Sequence, residues 1–188
     1  MITIPRSKLP STSFAVHPNE FLNTEESQLV ASLVLSVFPY VVIEFGVNLG
    51  KTARIILDAS PTIQRYIGID VQPDHAPRLD CQRYEIPLRA GEYALNDPRF
   101  ELLYSESTTL RPDDLPAADA VFIDGDHSAI AVEHDSRLAL EILNKGGIIV
   151  WHDYGNLAVE VTEALDQLVA EGWPIRHIEK TWLAFLSC

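Results

Sequence analysis

At 188 residues, 47% of them hydrophobic and 22% charged, the chain is long enough to bury a core of its own and too apolar to stay disordered. Its 27 acidic and 14 basic residues leave a formal net charge of -13, a field that repels a phosphate backbone unless the cations cluster, so nucleic acid is not an expected partner. No stretch approaches the ~18 consecutive apolar residues of a membrane span and the opening MITIPRSKLPSTSF lacks the order of a signal peptide, so a cytoplasmic protein with free thiols at Cys81 and Cys188 is expected.

In chain order, Pro5, Pro10 and Pro18 among Ser and Thr mark residues 1–23 as an extended arm. From Thr24, read as an N-cap with Glu25 and Glu26 in the first turn, apolar residues at Leu29, Val30, Leu33, Val34, Val37 and Phe38 predict a helix that Pro39 ends. YVVIEFG is a short β-branched run of the kind buried on both faces of a parallel sheet, and LGKTARIILDAS returns to helical spacing. The alternation continues: RYIGID, FELLY, DAVFIDG and GGIIVWHD read as strands, SAIAVEHDSRLALEILN and LAVEVTEALDQLVAEG as helices. Strands separated by helices predict a parallel, doubly wound α/β sheet, with residues 24–188 as its single domain. The tail PIRHIEKTWLAFLSC has no room for a helix between its two β-like runs, which predicts an antiparallel hairpin at the sheet edge. Residues 71–98, broken by Pro73, Pro77, Pro87 and Pro98, resist assignment beyond a short helix expected at residues 88–96. So long a connection reads as a functional lid, an ordinary insertion or a contact between copies in a homo-oligomer.

Chemistry concentrates at the strand ends. Glu44, Gly46, Asn48 and Gly50 form Glu-x-Gly-x-Asn-x-Gly after the first strand of the alternation, where glycine lets the backbone turn sharply and approach a ligand. The next strand ends in Asp70, a carboxylate able to accept hydrogen bonds from both hydroxyls of a ribose. The dinucleotide pattern G-x-G-x-x-G is missing, since position 48 is Asn and Thr52 stands two beyond Gly50. Further on, Asp124, Asp126 and His127 should face His152 and Asp153 across the same crevice. Asp126 reads equally as a helix N-cap, and His152 as a hydrogen-bonded residue shaping its turn. Trp151, Tyr154 and Trp173 read as packing, the run EHDSR as a solvated helix face, and His17, His75, His134 and His177 as surface or helix residues.

The Glu-x-Gly turn, Asp70, SES, FIDGDHS and GGIIVWHDY together resemble class I S-adenosylmethionine-dependent methyltransferases, closest to a bacterial subgroup with Asp-Gly-Asp-His and His-Asp motifs. The resemblance implies a Rossmann-like, mostly parallel seven-stranded sheet with a C-terminal antiparallel hairpin. It places Glu44, Gly46 and Gly50 along the methionine part of the cofactor, with Asn48 in the same turn, and Asp70 on the ribose. Glu106, with Ser107 beside it, would approach the adenine amine, and Asp124 would face the cofactor as well. It extends to metal-dependent O-methyltransferases, which implies Asp124 and Asp153 as ligands of a divalent ion and His127 as the base; hard carboxylate oxygens favour Mg²⁺, with Mn²⁺ or Ca²⁺ as alternatives. The chain departs from the catechol-type pattern at Tyr154, where Asn is usual, so either Asp126, Glu44 or water completes the shell or no metal binds. The activity implied is O-methylation of a small hydroxylated acceptor. A non-catalytic or regulatory S-adenosylmethionine-binding protein, and a nucleotide-cofactor enzyme on a similar sheet, are the alternative readings.

Overall fold

The computed structural model describes residues 1–9 and 23–188. Its described strands are β1 (Ile2–Ile4), β2 (Val41–Phe45), β3 (Arg65–Asp70), β4 (Phe100–Tyr104), β5 (Ala118–Ile123), β6 (Leu143–Trp151), β7 (Arg176–Ile178) and β8 (Ala184–Ser187). They form one eight-stranded sheet in the order β1-β7-β8-β6-β5-β2-β3-β4. β8 runs antiparallel to β6 and β7, and the other pairings are parallel. Helices α1 (Thr24–Leu35), α2 (Lys51–Ala59), α3 (Ala129–Ile142) and α4 (Val161–Ala170) cover the two faces.

Successive strand residues point to opposite faces, so a strand covered on both sides must be apolar throughout. On one face Val30 and Val34 of α1 and Ala53 and Ile56 of α2 pack with Val42, Phe122 and Val150. On the other, Val132 and Leu138 of α3 and Leu165 and Leu168 of α4 pack with Ile43, Phe45, Val121 and Trp151. Each such large side chain contributes roughly 1.5–3 kcal/mol by leaving water. β2 has β3 on one side and β5 on the other, so the chain winds away from it in both directions and a crevice opens at the carboxyl ends of these strands.

Several details differ from the reading above. The sheet has eight described strands rather than seven, because Ile2–Ile4 pairs with Arg176–Ile178. Three residues before a proline carry no periodicity, so this strand exists only through its partner. It takes the edge that the C-terminal hairpin was expected to hold, while β8 inserts beside β6. The rest of the expected arm, residues 10–22, lies outside the described residues. The N-cap of α1 is Asn23, whose side chain accepts the Glu26 amide at 2.9 Å, rather than Thr24. Residues 88–96 form turns, not a helix. There the Gly91 and Tyr93 amides donate to Asn48 and Leu49 carbonyls in the loop after β2, not to carbonyls of their own segment. In the EHDSR run, Asp135 and Ser136 are fully buried, held by hydrogen bonds from Ser107 and Trp151. No helix among the described residues is long and apolar enough to cross a membrane.

Candidate active site

β2 leaves the sheet at Gly46, whose φ is +80° and where a Cβ would stand 2.2 Å from the Asp124 carbonyl oxygen. Glycine is what lets the loops after β2 and β5 lie against each other. The Asn48 amide then donates to Asp70 Oδ2 at 2.7 Å, and the Val71 amide to Asp70 Oδ1 at 2.7 Å. The acid ending β3 is thereby pinned to the turn after β2. Burial pushes its pKa up to about 6 against the pull of these two amides. A carboxylate offers about four acceptor positions, so lone pairs remain on both oxygens. Glu44, 1% exposed, accepts a 2.8 Å hydrogen bond from the Tyr66 hydroxyl. Burial raises its pKa well above the ordinary range, with Tyr66 opposing.

Around these groups lies a hollow of about 360 Å³, walled also by Glu106, Ser107, Asp124 and part of the 71–98 connection. That connection is a strap tied at several points. Gln82, buried, donates to the Gly125 carbonyl at 2.9 Å and accepts the His127 amide at 3.0 Å. Arg78 pairs with the carboxylates of Asp126 and Glu106 and donates to Thr108 Oγ1 at 3.0 Å. Asn48 Nδ2 reaches the Glu85 carbonyl at 2.6 Å. Gly50 (φ +78°) begins α2 pressed on this strap, where a Cβ would meet Gly91 Cα at 2.9 Å.

Charge gathers at the other end of the hollow, after β5 and β6. His152 Nδ1 lies 3.1 Å from Asp153 Oδ2 and 3.3 Å from Asp124 Oδ1. His127 Nε2 lies 3.4 Å and 3.5 Å from the same two oxygens. Asp153 holds a left-handed φ of 63°, and Asn156 Nδ2 fixes its second oxygen at 2.7 Å. Burial opposes every one of these charges, yet they stabilise one another. Asp124 is drawn down to about 2 by the two imidazoles, and His152 is raised well above its ordinary value by Asp124, Asp153 and Glu26. His127 is 8% exposed, and neither of its ring nitrogens makes a hydrogen bond.

A family model described as a methyltransferase domain matches residues 43–154, the span from β2 to just past β6. The chain belongs to this methyltransferase family. It is an S-adenosylmethionine-dependent enzyme of the class I fold. No curated protein matches the sequence. Among solved structures, cofactor-bound Rv0187 from MTB is similar at 18% identity and TM-score 0.64, covering 96% of this chain and 84% of that one. An O-methyltransferase from Bacillus cereus in complex with SAH is 15% identical at TM-score 0.64, covering 91% and 84%. The O-methyltransferase NovP is 14% identical at TM-score 0.66, covering 90% and 82%. At such identities the likeness is one of fold.

The methyltransferase brings most of the residues singled out in its sequence to one hollow: Glu44, Gly46, Asn48, Asp70, Glu106, Ser107, Asp124, His127, His152 and Asp153 all line it. Gly50 is placed against the strap instead. Asp126 lines the rim, accepting the Ser128 amide at 2.9 Å and pairing with Arg78, but it is not the N-cap expected of it: Ser128 holds that position on α3. Trp151 is buried and Tyr154 donates to Asp166 at 2.9 Å. His75 lines the hollow, whereas His17 lies outside the described residues. Sequence reasoning missed Arg78, Gln82, Glu85 and Glu26. Arg78, Gln82 and Glu85 carried only a weak signal, as polar residues in a connection too long to be a plain link, and Glu26 carried none.

Proposed function

We propose that this methyltransferase methylates an oxygen of a small hydroxylated acceptor, with His127 as general base. The observation that carries the reading is the buried His127 ring, free of hydrogen bonds and facing the hollow. Glu44, Gly46 and Asn48 would flank the methionine part of the cofactor, with Gly50 shaping their turn from behind. Asp70 would hold the ribose hydroxyls through its remaining lone pairs, and Glu106 and Ser107 would border the adenine. When bound, S-adenosylmethionine supplies a methyl group on a sulfonium that departs as a neutral thioether. His127 takes the acceptor's hydroxyl proton as the new C–O bond forms, a role suited to an imidazole. Asp124 and Asp153 face the same point and fit a divalent ion, Mg²⁺ by their oxygens alone. Such an ion would stabilise the developing alkoxide. The O-methyltransferase function of the Bacillus cereus and NovP structures supports an oxygen acceptor.

Isotope-labelled S-adenosylmethionine offered with a panel of small phenols, sugars and hydroxy acids tests this, with label sought in an ether or ester product. Replacing His127 with Ala should lower turnover about 10²- to 10⁴-fold while S-adenosylhomocysteine still binds. Label appearing only on nitrogen or sulfur, or full activity in the variant, sinks the proposal. Tight S-adenosylhomocysteine binding with no acceptor methylated across the panel would favour a non-catalytic binding protein.

A further inference from the structure

Resting on the ion proposed at Asp124 and Asp153, we infer that His152 is its third protein ligand, oriented by Glu26. The nitrogen donor makes the site prefer a transition-series divalent ion over Mg²⁺. Three observations meet here. First, one ligand atom each from Asp124, His152 and Asp153 lies within 4.8 Å of the other two. Nδ1 of His152 is 3.1 Å and 3.3 Å from the carboxylate oxygens. An ion with bonds of about 2.0–2.2 Å sets neighbouring donors about 2.9–3.5 Å apart, so the His152 nitrogen already stands at ligand spacing from both carboxylate oxygens.

Second, the far side of the His152 ring is backed by a carboxylate. Its Nε2 makes no hydrogen bond and lies 3.6 Å from Glu26 Oε2. Glu26 is 5% exposed on α1, and its oxygens are fixed by the Trp182 amide at 2.7 Å and Asn23 Nδ2 at 2.6 Å. A carboxylate behind a histidine keeps the proton on the distal nitrogen and turns the lone pair of the near one toward the ion. Third, the buried His127 ring, unpartnered at both nitrogens, aims Nε2 at the same two oxygens. The groups otherwise available for the shell are engaged elsewhere, Asp126 with Arg78 and Glu44 with Tyr66. Imidazole suits Zn²⁺, Fe²⁺, Co²⁺ or Ni²⁺, whereas Mg²⁺ favours an all-oxygen shell with several waters.

The test is binding of Co²⁺, Zn²⁺ and Mg²⁺ to chelator-treated full-length protein, by Co²⁺ visible absorption and by calorimetry. Zn²⁺ and Co²⁺ should bind at least a hundredfold more tightly than Mg²⁺. His152→Asp should shrink the Zn²⁺-to-Mg²⁺ ratio at least tenfold and alter the Co²⁺ spectrum. Glu26→Gln should weaken Co²⁺ about 10- to 100-fold, with S-adenosylhomocysteine affinity unchanged as the check on folding. His127→Ala should keep the ion, which separates this site from the base. A ratio unmoved by His152→Asp, or a Glu26→Gln protein with wild-type Co²⁺ affinity, overturns this inference and leaves the Asp124–Asp153 ion standing. If no divalent ion binds the unaltered protein, both fall, and the histidines are counter-charges to buried acids.

Discussion

At the β2–β3 end of the hollow, Glu44 and Asp70 sit among hydroxyl and amide donors, and burial moves both toward the neutral form, Asp70 to about 6. At the β5–β6 end, Asp124 and Asp153 are just as enclosed, yet the adjacent imidazoles outweigh burial and hold both below the ordinary carboxylate range, Asp124 at about 2. The same side-chain type under similar burial thus moves in opposite directions, and the nearest partner decides which. The first arrangement suits holding a ligand by hydrogen bonds. The second keeps charge in reserve, which proton transfer and ion binding both require.

The contrast breaks most visibly at Asp124. Removing one member of a buried charge cluster leaves the others uncompensated, a cost of about 3–5 kcal/mol. Asp124→Ala should lose this much in urea unfolding at neutral pH and also lose turnover. A midpoint equal to that of the parent would mean that the imidazoles do not depend on it. Asp70→Ala acts at the other end. Hydrogen bonds to a charged group are worth about 1.5–3 kcal/mol each, so losing the proposed ribose pair should weaken S-adenosylhomocysteine by about 100-fold or more by calorimetry. Its urea midpoint should move less than that of Asp124→Ala, and the reverse order would contradict the division drawn here.

How far each end was legible beforehand follows from the same physics. The strand cores could be read because parallel strands buried on both faces are apolar without interruption, as Val42, Ile43 and Phe45 are. The Gly46 turn and Asp70 could be read because both lie at strand ends, where the topology fixes position. The β5–β6 end was legible only in part. Asp124, His127 and Asp153 follow strands, but Glu26 looks like an ordinary first-turn acid on α1, and only packing brings it to His152. Gly50 read as a ligand contact because its need for a positive φ is visible in a glycine while its neighbour Gly91 is not. Arg78 sits in an irregular connection, where no periodicity assigns a direction to its side chain.

Acidity offers a subtler probe. Asp70 has a folded pKa raised to about 6 from 3.8, so the native state binds its proton more tightly than the unfolded chain and the apoprotein gains stability as pH falls from 7 toward 5. His152, also raised, contributes stability below its unfolded value of 6.5 that is lost as pH climbs through its folded value. Asp124 behaves oppositely: its contribution is present above 3.8 and disappears as pH drops toward 2. Apoprotein stability should therefore be greatest between about pH 4 and 6. With Asp70 holding the ribose as a carboxylate, as proposed, S-adenosylhomocysteine affinity should fall about tenfold from pH 7 to 5. Affinity that stays level across this interval, measured beside the denaturation curves, would remove Asp70 from the ribose.

The smallest expected effects concern the strap that closes both ends, and they separate two ways of tying it. Arg78 is a third exposed at its side chain, so its ion pairs with Asp126 and Glu106 are screened and worth about 0–1 kcal/mol. Gln82 is buried, and its loss strands the Gly125 carbonyl and the His127 amide, at about 1–3 kcal/mol for each unsatisfied group. Gln82→Ala should therefore lower the melting temperature by several degrees, at about 2–4 °C per kcal/mol for a chain of this size. Arg78→Ala should lower it by a few degrees at most, and that small loss should shrink further in high salt. Because Gln82 holds the amide of the proposed base, its variant should also slow turnover, whereas Arg78→Ala should act chiefly on cofactor affinity through Glu106. If the two variants lose stability equally and both respond to salt, the strap is held by its surface charges, and Gln82 does not position His127.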